Sequence, residues 1–235
     1  MRRRWLVGGM TATALSTALG GSGCSVLPGQ PFLQRRDWPL VVRRPGELPG
    51  ASPGELTGGS PGGVSGRSRG ESQVTLPSRP DGRVLLVRSV QAGPELATRG
   101  LQTLQQDGSL TTAFYEEWAV PPADGIDDDL RRWLADSGRF AAVLAPSSRM
   151  TADLILEAEL VALHADLGNM TARAALALVL IDQRPSGARI RLQRTEAAAV
   201  KLEGTDPPAQ VRAQLAALEA VLRQTETVLA DAVRP

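Results

Sequence analysis

The chain has 235 residues, with 26 lysine and arginine residues against 25 aspartate and glutamate, one histidine, one cysteine and eight aromatic residues. One cysteine and one histidine exclude an intrachain disulfide, a Cys/His zinc site and a four-thiolate cluster, and the single lysine, Lys201 between Val200 and Leu202, excludes a Gly-Lys-Ser/Thr phosphate loop. No metal and no cofactor is expected, and any ATPase must be a partner.

The near-zero net charge hides a gradient. Residues 1–24 hold three arginines and no acid, residues 25–80 seven arginines and four acids, and residues 81–235 sixteen bases and twenty-one acids. An acidic domain with only Phe114, Tyr115, Trp118, Trp133 and Phe140 as aromatics is not the basic, ring-studded surface that nucleic acid demands.

In chain order, Arg2, Arg3 and Arg4 precede an uncharged, apolar but glycine- and threonine-diluted stretch from Trp5 to Gly23, the pattern of a signal peptide over residues 1–23. The apolar run falls short of the ~20 residues a membrane-spanning helix requires. It leads to Gly21-Ser22-Gly23-Cys24, which resembles a bacterial lipobox, with Gly21 where leucine is usual and Leu19 two positions upstream. The competing explanation is an incidental thiol behind an ordinary cleavage site. Lipidation accounts for a lone cysteine in an exported chain, and two or three acyl chains meet the requirement for stable anchoring. Ser25 after the cysteine points to outer-membrane sorting, and the arginine-rich start leaves the export route open between the general and twin-arginine pathways.

Residues 24–80 are expected to be a disordered tether. From Pro45 to Gly70 glycine recurs nine times and proline four, too little apolar surface to offset the entropy of ordering. Over the 56 residues after Cys24 such a tether would let the domain hang up to about 185 Å from its anchor. Trp38-Pro39-Leu40-Val41-Val42 is its one apolar island, read as a chance cluster in preference to a docking strand. Gly58-Gly59-Ser60-Pro61-Gly62 fits Gly-x-Ser-x-Gly but lacks the strand and helix that make a nucleophile elbow work.

One folded domain is expected over residues 81–235. Val84-Leu85-Leu86-Val87 and Val90 predict a buried strand. Leu101–Leu104 and Leu110–Tyr115 flank Asp107-Gly108, a hairpin signal. Ile126, Leu130, Trp133 and Leu134 predict an amphipathic helix from Asp124 to Ser137, stopped by Gly138. Residues 152–182 alternate apolar and polar side chains around a Gly168-Asn169 turn, and Ile190 and Leu192 continue the alternation between Ala188 and Val200, which predicts a three-strand antiparallel meander with one face solvated. Thr205-Asp206 and Pro207-Pro208 open a long helix striped by Val211, Leu215, Leu218, Leu222, Leu229 and Val233. That stripe reads as core, with a groove-binding helix as the minor alternative. The fold class is therefore α/β of the α+β kind: a mostly antiparallel sheet of five to six strands, covered on one face by two helices.

Two features could carry chemistry. Asp127-Asp128-Asp129 is read as a first-turn complement to the helix dipole, since a calcium or catalytic site would need further oxygen ligands. His164, without a serine or cysteine at partner spacing, is read as a surface or half-buried strand residue. No catalytic residue is expected, and the chain is expected not to be an enzyme.

The order of elements resembles the ABC-type transport auxiliary lipoprotein family, which includes the paraquat-inducible envelope lipoprotein. The likeness rests on Arg83-Val84-Leu85-Leu86-Val87, on Phe114-Tyr115-Glu116-Glu117-Trp118-Ala119-Val120-Pro121, on Asp129-Leu130-Arg131-Arg132-Trp133-Leu134 and on Ala152-Asp153-Leu154-Ile155-Leu156. The resemblance implies a lipid-anchored domain on the outer membrane, facing the periplasm. It would serve as a non-enzymatic auxiliary component beside an ABC permease, its ATPase and a mammalian-cell-entry type substrate-binding protein, in moving phospholipid or another lipophile. It leaves a homo-oligomer open. The alternative is an envelope structural or assembly lipoprotein that binds another outer-membrane protein or the cell wall. Cys24 is the lipidation site on either view, and Phe114, Tyr115 and Trp118 are the candidates for partner or lipid contact.

Overall fold

The computed structural model describes residues 34–45, 82–185 and 187–234. The strands, in chain order, are β1 (Arg36–Trp38), β2 (Val84–Val87), β3 (Gln91–Ala92), β4 (Gly100–Leu104), β5 (Leu110–Trp118), β6 (Ala142–Leu144), β7 (Leu154–Asp166), β8 (Thr171–Arg184) and β9 (Gly187–Lys201). Helix α1 (Pro122–Asp136) lies between β5 and β6, and α2 (Pro207–Ala232) follows β9.

The predicted meander is present. β7 pairs antiparallel with β8 from Leu154–Asp182 to Asp166–Thr171, and β8 pairs antiparallel with β9 along its whole length. The rest of the sheet departs from expectation: it has nine strands among the described residues and is mixed, five of its eight pairings being parallel. β2, β3 and β4 lie one after another along the same edge of β7, each parallel to it, while β6 adds to β2 and β5 to β4. Parallel neighbours are joined by long crossovers, so no local turn signal announces them, and β3 and β6 are too short to show a period.

The central strands alternate, and the two faces differ. Leu85, Val87, Leu154, Leu156, Leu160, Leu176, Leu178 and Leu180 point into one core with Val211, Leu218, Val221, Leu222 and Leu229 of α2 and with Ile126, Leu130, Trp133 and Leu134 of α1. The α2 stripe is thus core, as expected. Asp206 caps α2 by accepting a hydrogen bond from the Ala209 N–H at 2.7 Å, and Pro207 and Pro208 occupy the first turn.

The residues between those core positions face away from the helices. There Leu144, Leu86, Ile155, Ile181 and Ile190 stand in register across β6, β2, β7, β8 and β9 as one apolar row. The row runs from the buried Ile155 to Ile190, which is 65% exposed at the edge strand.

The apolar island before β2 belongs to the fold. β1 pairs parallel with β5 from Arg36–Glu116 to Trp38–Trp118, the Ala119 N–H donates to the Trp38 carbonyl at 2.7 Å, and Leu40 and Val42 are buried in the common core. The folded body therefore begins well before residue 81. Within the expected tether, residues 36–38 are a strand of the sheet and Leu40 and Val42 pack in the core; residues 25–33 and 46–80, with the serine of the elbow pattern, lie outside the described residues.

Inclusion of residues 34–45 also changes the electrostatics. Residues 34–45 and 82–234 together carry twenty basic and twenty-one acidic side chains, so the body is close to neutral and not acidic.

Candidate contact surface at the β5 bulge

The hairpin turns where the sequence places it. Gly108 has φ 84°, the Gln105 N–H donates to the Ser109 carbonyl at 2.8 Å, and Asp107 accepts from the Ser109 N–H and hydroxyl at 2.9 and 2.6 Å. Those bonds from Ser109 hold the Asp107 carboxyl below its ordinary range.

Beyond the turn, Leu104, Thr103 and Gln102 face Leu110, Thr111 and Thr112 in step, but the next pairing is Gly100 with Glu117. Two steps along β4 oppose five along β5, so residues 113–116 are thrown out as a bulge. Gly100 makes this packing feasible: a Cβ there would lie 2.4 Å from the Ala113 carbonyl oxygen and 2.5 Å from a Thr112 methyl. The Trp118 N–H closes the bulge by donating to the Arg99 carbonyl at 2.7 Å.

The bulge separates the three aromatic candidates. Phe114 and Tyr115 are 72% and 42% exposed, and their rings meet edge to face, centroids 5.0 Å apart. Trp118, past the bulge, is only 1% exposed and packs in the core, so it is not a contact residue.

The Arg35 guanidinium lies 5.9 Å from the centre of the Phe114 ring, within range of a cation–π attraction, and also donates to Glu117. Arg99 bridges Asp37 at 2.7 Å and Glu117 at 2.9 Å, and the Trp38 indole donates to Glu116 at 2.8 Å. A polar lattice thus clamps β1 beneath the exposed rings.

Cys24 lies outside the described residues. His164 stands on β7 opposite Arg173, whose partner on β9 is Ala199, so neither ladder neighbour is a nucleophile. Burial lowers its pKa, Arg173 adding to the effect and Asp166 opposing it.

The aspartate trio is not in the first turn, because α1 begins at Pro122 and Asp124 is the first-turn acid. Asp127 accepts from the Val90 N–H and from Arg131. Asp129 is buried and accepts from the Val42 N–H and from Arg132, each at 2.7 Å. These aspartates hold the approaching chain, a role the dipole explanation does not foresee.

Glu226 of α2 has a similar duty. It accepts from Arg44 at 3.0 and 3.1 Å and from the Trp133 indole at 2.9 Å. Burial alone would raise its pKa, but the hydrogen bonds from Arg44, Trp133 and Arg139 outweigh it and leave the carboxyl below its ordinary range. Among the described residues no group of three or more His, Cys, Asp or Glu side chains could hold a metal, and no helix is long and apolar enough to cross a membrane.

The model of the ABC-type transport auxiliary lipoprotein component family matches residues 68–225. The chain belongs to this family. The match covers everything from β2 through most of α2, while β1 lies outside it.

Among solved structures, this auxiliary lipoprotein is similar to protein XCC0632 from Xanthomonas campestris, of the DUF330 family, at 22% identity. That alignment covers 67% of this chain and 91% of that one, with a TM-score of 0.58. A second, uncharacterized protein is 17% identical over 68% of this chain and 95% of its own, with a TM-score of 0.52. At these identities the likeness shows the fold. Among curated proteins no relative matches the chain.

Proposed function

We propose that this chain is a periplasm-facing lipoprotein, anchored to the outer membrane through Cys24, which acts as a non-enzymatic auxiliary component of an ABC-type system moving phospholipid or a similar lipophile between membranes. Its partners would be the permease, its ATPase and a mammalian-cell-entry type substrate-binding protein. The family match over residues 68–225 carries this reading, and the arginine-rich leader ending at Cys24 agrees with it.

The acidic side chains support the non-enzymatic part. Asp127, Asp129, Asp182, Glu117 and Glu226 are each engaged by arginine, the first two within α1 and the other three between elements, as structural carboxylates are.

Crosslinking in intact cells followed by purification of the full-length lipoprotein tests the proposal. Recovery of permease, ATPase and substrate-binding subunits is the expected result. Recovery only of other outer-membrane proteins or of peptidoglycan would replace it with a structural or assembly role. Mass spectrometry of the mature N-terminus should find an acylated Cys24, and a mature chain that starts elsewhere without acyl groups would remove the anchor.

A further inference from the structure

We propose that the Phe114–Tyr115 bulge is the part of the domain that touches the bilayer in which the protein is anchored, its two rings seated in the headgroup region. The proposal rests on the lipidation of Cys24 set out above.

The first observation is covalent reach. The chain joins the sheet at β1, not at β2, so Arg35 is only eleven residue steps from Cys24. Even drawn taut they span about 36–40 Å at ~3.3–3.6 Å per residue, a fifth of the distance a tether running to residue 80 would allow. Arg35 in turn lies against the Phe114 ring. The short leash therefore ends at the exposed aromatic pair.

The second observation is the chemistry of that spot. Arg35 and Arg36 are 54% and 57% exposed, whereas their partners Glu117 and Glu116 are recessed at 12% and 18%. The cations face outward and the carboxylates lie beneath them. An outward guanidinium beside a Phe/Tyr pair, with a second exposed arginine next to it in the chain, suits the phosphate and acyl boundary of a phospholipid layer, where aromatic rings and long cationic side chains both sit well.

The third observation is rigidity. The bulge is fixed by the Gly100 contact, the β1 ladder and the Arg99 bridges, so presenting the rings costs little ordering entropy. Among the other exposed apolar residues, Ile190 is ladder partner to Ile181 and, through it, to Ile155. The bulge lies opposite Gly100, three residues before Thr103, the partner of Ala165, so its level on β7 is about seven residues from Ile155, or about 23 Å at ~3.3 Å per residue.

The test uses the acylated full chain reconstituted into vesicles of phosphatidylethanolamine and phosphatidylglycerol. Because acylation blocks the sulfur of Cys24, a cysteine introduced by Phe114→Cys or, separately, Ile190→Cys takes a thiol-reactive environment-sensitive dye. Quenchers carried on lipid acyl chains should quench the dye at position 114 several-fold more than at 190, and its emission should shift to the blue on reconstitution. Equal, water-like behaviour at both positions in a protein that floats with the vesicles overturns the proposal while leaving the anchor intact. A protein that does not float, and whose mass shows no acyl chain, overturns the anchor itself. Phe114→Ser with Tyr115→Ser, in a protein whose Tm is unchanged because both rings are exposed, should lower partitioning of the Cys24→Ser chain onto the same vesicles several-fold; no change would also count against the proposal.

Discussion

Asp129 shows what one carboxylate can do to the stability of an entire domain. Burial pushes its pKa up from 3.8 to about 6 against the pull of the Val42 N–H and Arg132. The folded state thus binds this proton more tightly than the unfolded chain. Its contribution to stability is complete below about pH 4 and is lost as pH rises through about 6. At ~1.4 kcal/mol per pKa unit, the loss is on the order of 2–3 kcal/mol. Asp129→Asn keeps an acceptor for Val42 and removes the titration. Denaturant unfolding between pH 4 and 7 should show the unmodified protein losing stability relative to the variant; parallel curves would mean the carboxylate ionises without penalty. Glu226 has the opposite sign: its lowered pKa makes it a contributor above its ordinary value of 4.5, lost on acidification. The β7–β8 turn offers a second residue-scale case. Met170 sits at φ 49°, where an L-residue is strained. The sequence locates the turn at Gly168-Asn169, but the left-handed position falls just after those two residues. Met170→Gly should raise stability by about 0.5–1 kcal/mol, visible as a higher Tm, and an unchanged or lower Tm would show that the Met170 side chain compensates.

At the scale of elements, what could be read in advance follows from which forces act locally. β7, β8 and β9 are long and alternate, the hairpin carries Asp107-Gly108, and both helices have apolar stripes with start and stop residues, so periodicity and turn chemistry suffice. β1, β3 and β6 have two or three residues each and exist because a neighbouring strand completes them. Trp38, Leu40 and Val42 alternate as a strand should, yet the proline and glycine around them mask a signal that only burial against α1 makes meaningful. The aromatic candidates illustrate the same limit. Phe114, Tyr115 and Trp118 look equivalent in sequence, and the bulge opposite Gly100 decides which of them meet solvent. If Leu40 is a true member of the core, Leu40→Ala should cost about 2–5 kcal/mol, whereas Ile190→Ala on the open row should shift stability by no more than about 0.5 kcal/mol. Chemical denaturation of the two variants side by side distinguishes them, and equal midpoints would place residues 34–45 outside the cooperative unit.

For the whole molecule, the family match begins at residue 68, but the body it describes is completed by a segment some thirty residues earlier. A chain starting at Gly82 would contain almost all of the matched span and still lack Leu40 and Val42, the acceptor role of Asp129 and the Arg44–Glu226 bridge. It should unfold at markedly lower denaturant concentration than a chain starting at Gln34, as far-UV circular dichroism would report; identical midpoints would make the early segment dispensable.

Because β1 and β2 belong to one sheet yet are separated by residues 39–83 in the chain, a protease that cuts once between residues 46 and 81 would divide the polypeptide into a short piece, which carries the acyl chains if Cys24 is lipidated as proposed, and a long one. The three-pair ladder on β5, the seats of Leu40 and Val42, the Arg44–Glu226 bridge and the bonds from residues 35–42 to Arg99, Glu116, Glu117 and Asp129 would then hold the pieces together. A nicked protein should sediment as one particle with membranes under native conditions and release its larger fragment only in denaturant; loss of that fragment on simple washing would show the mooring to be covalent alone.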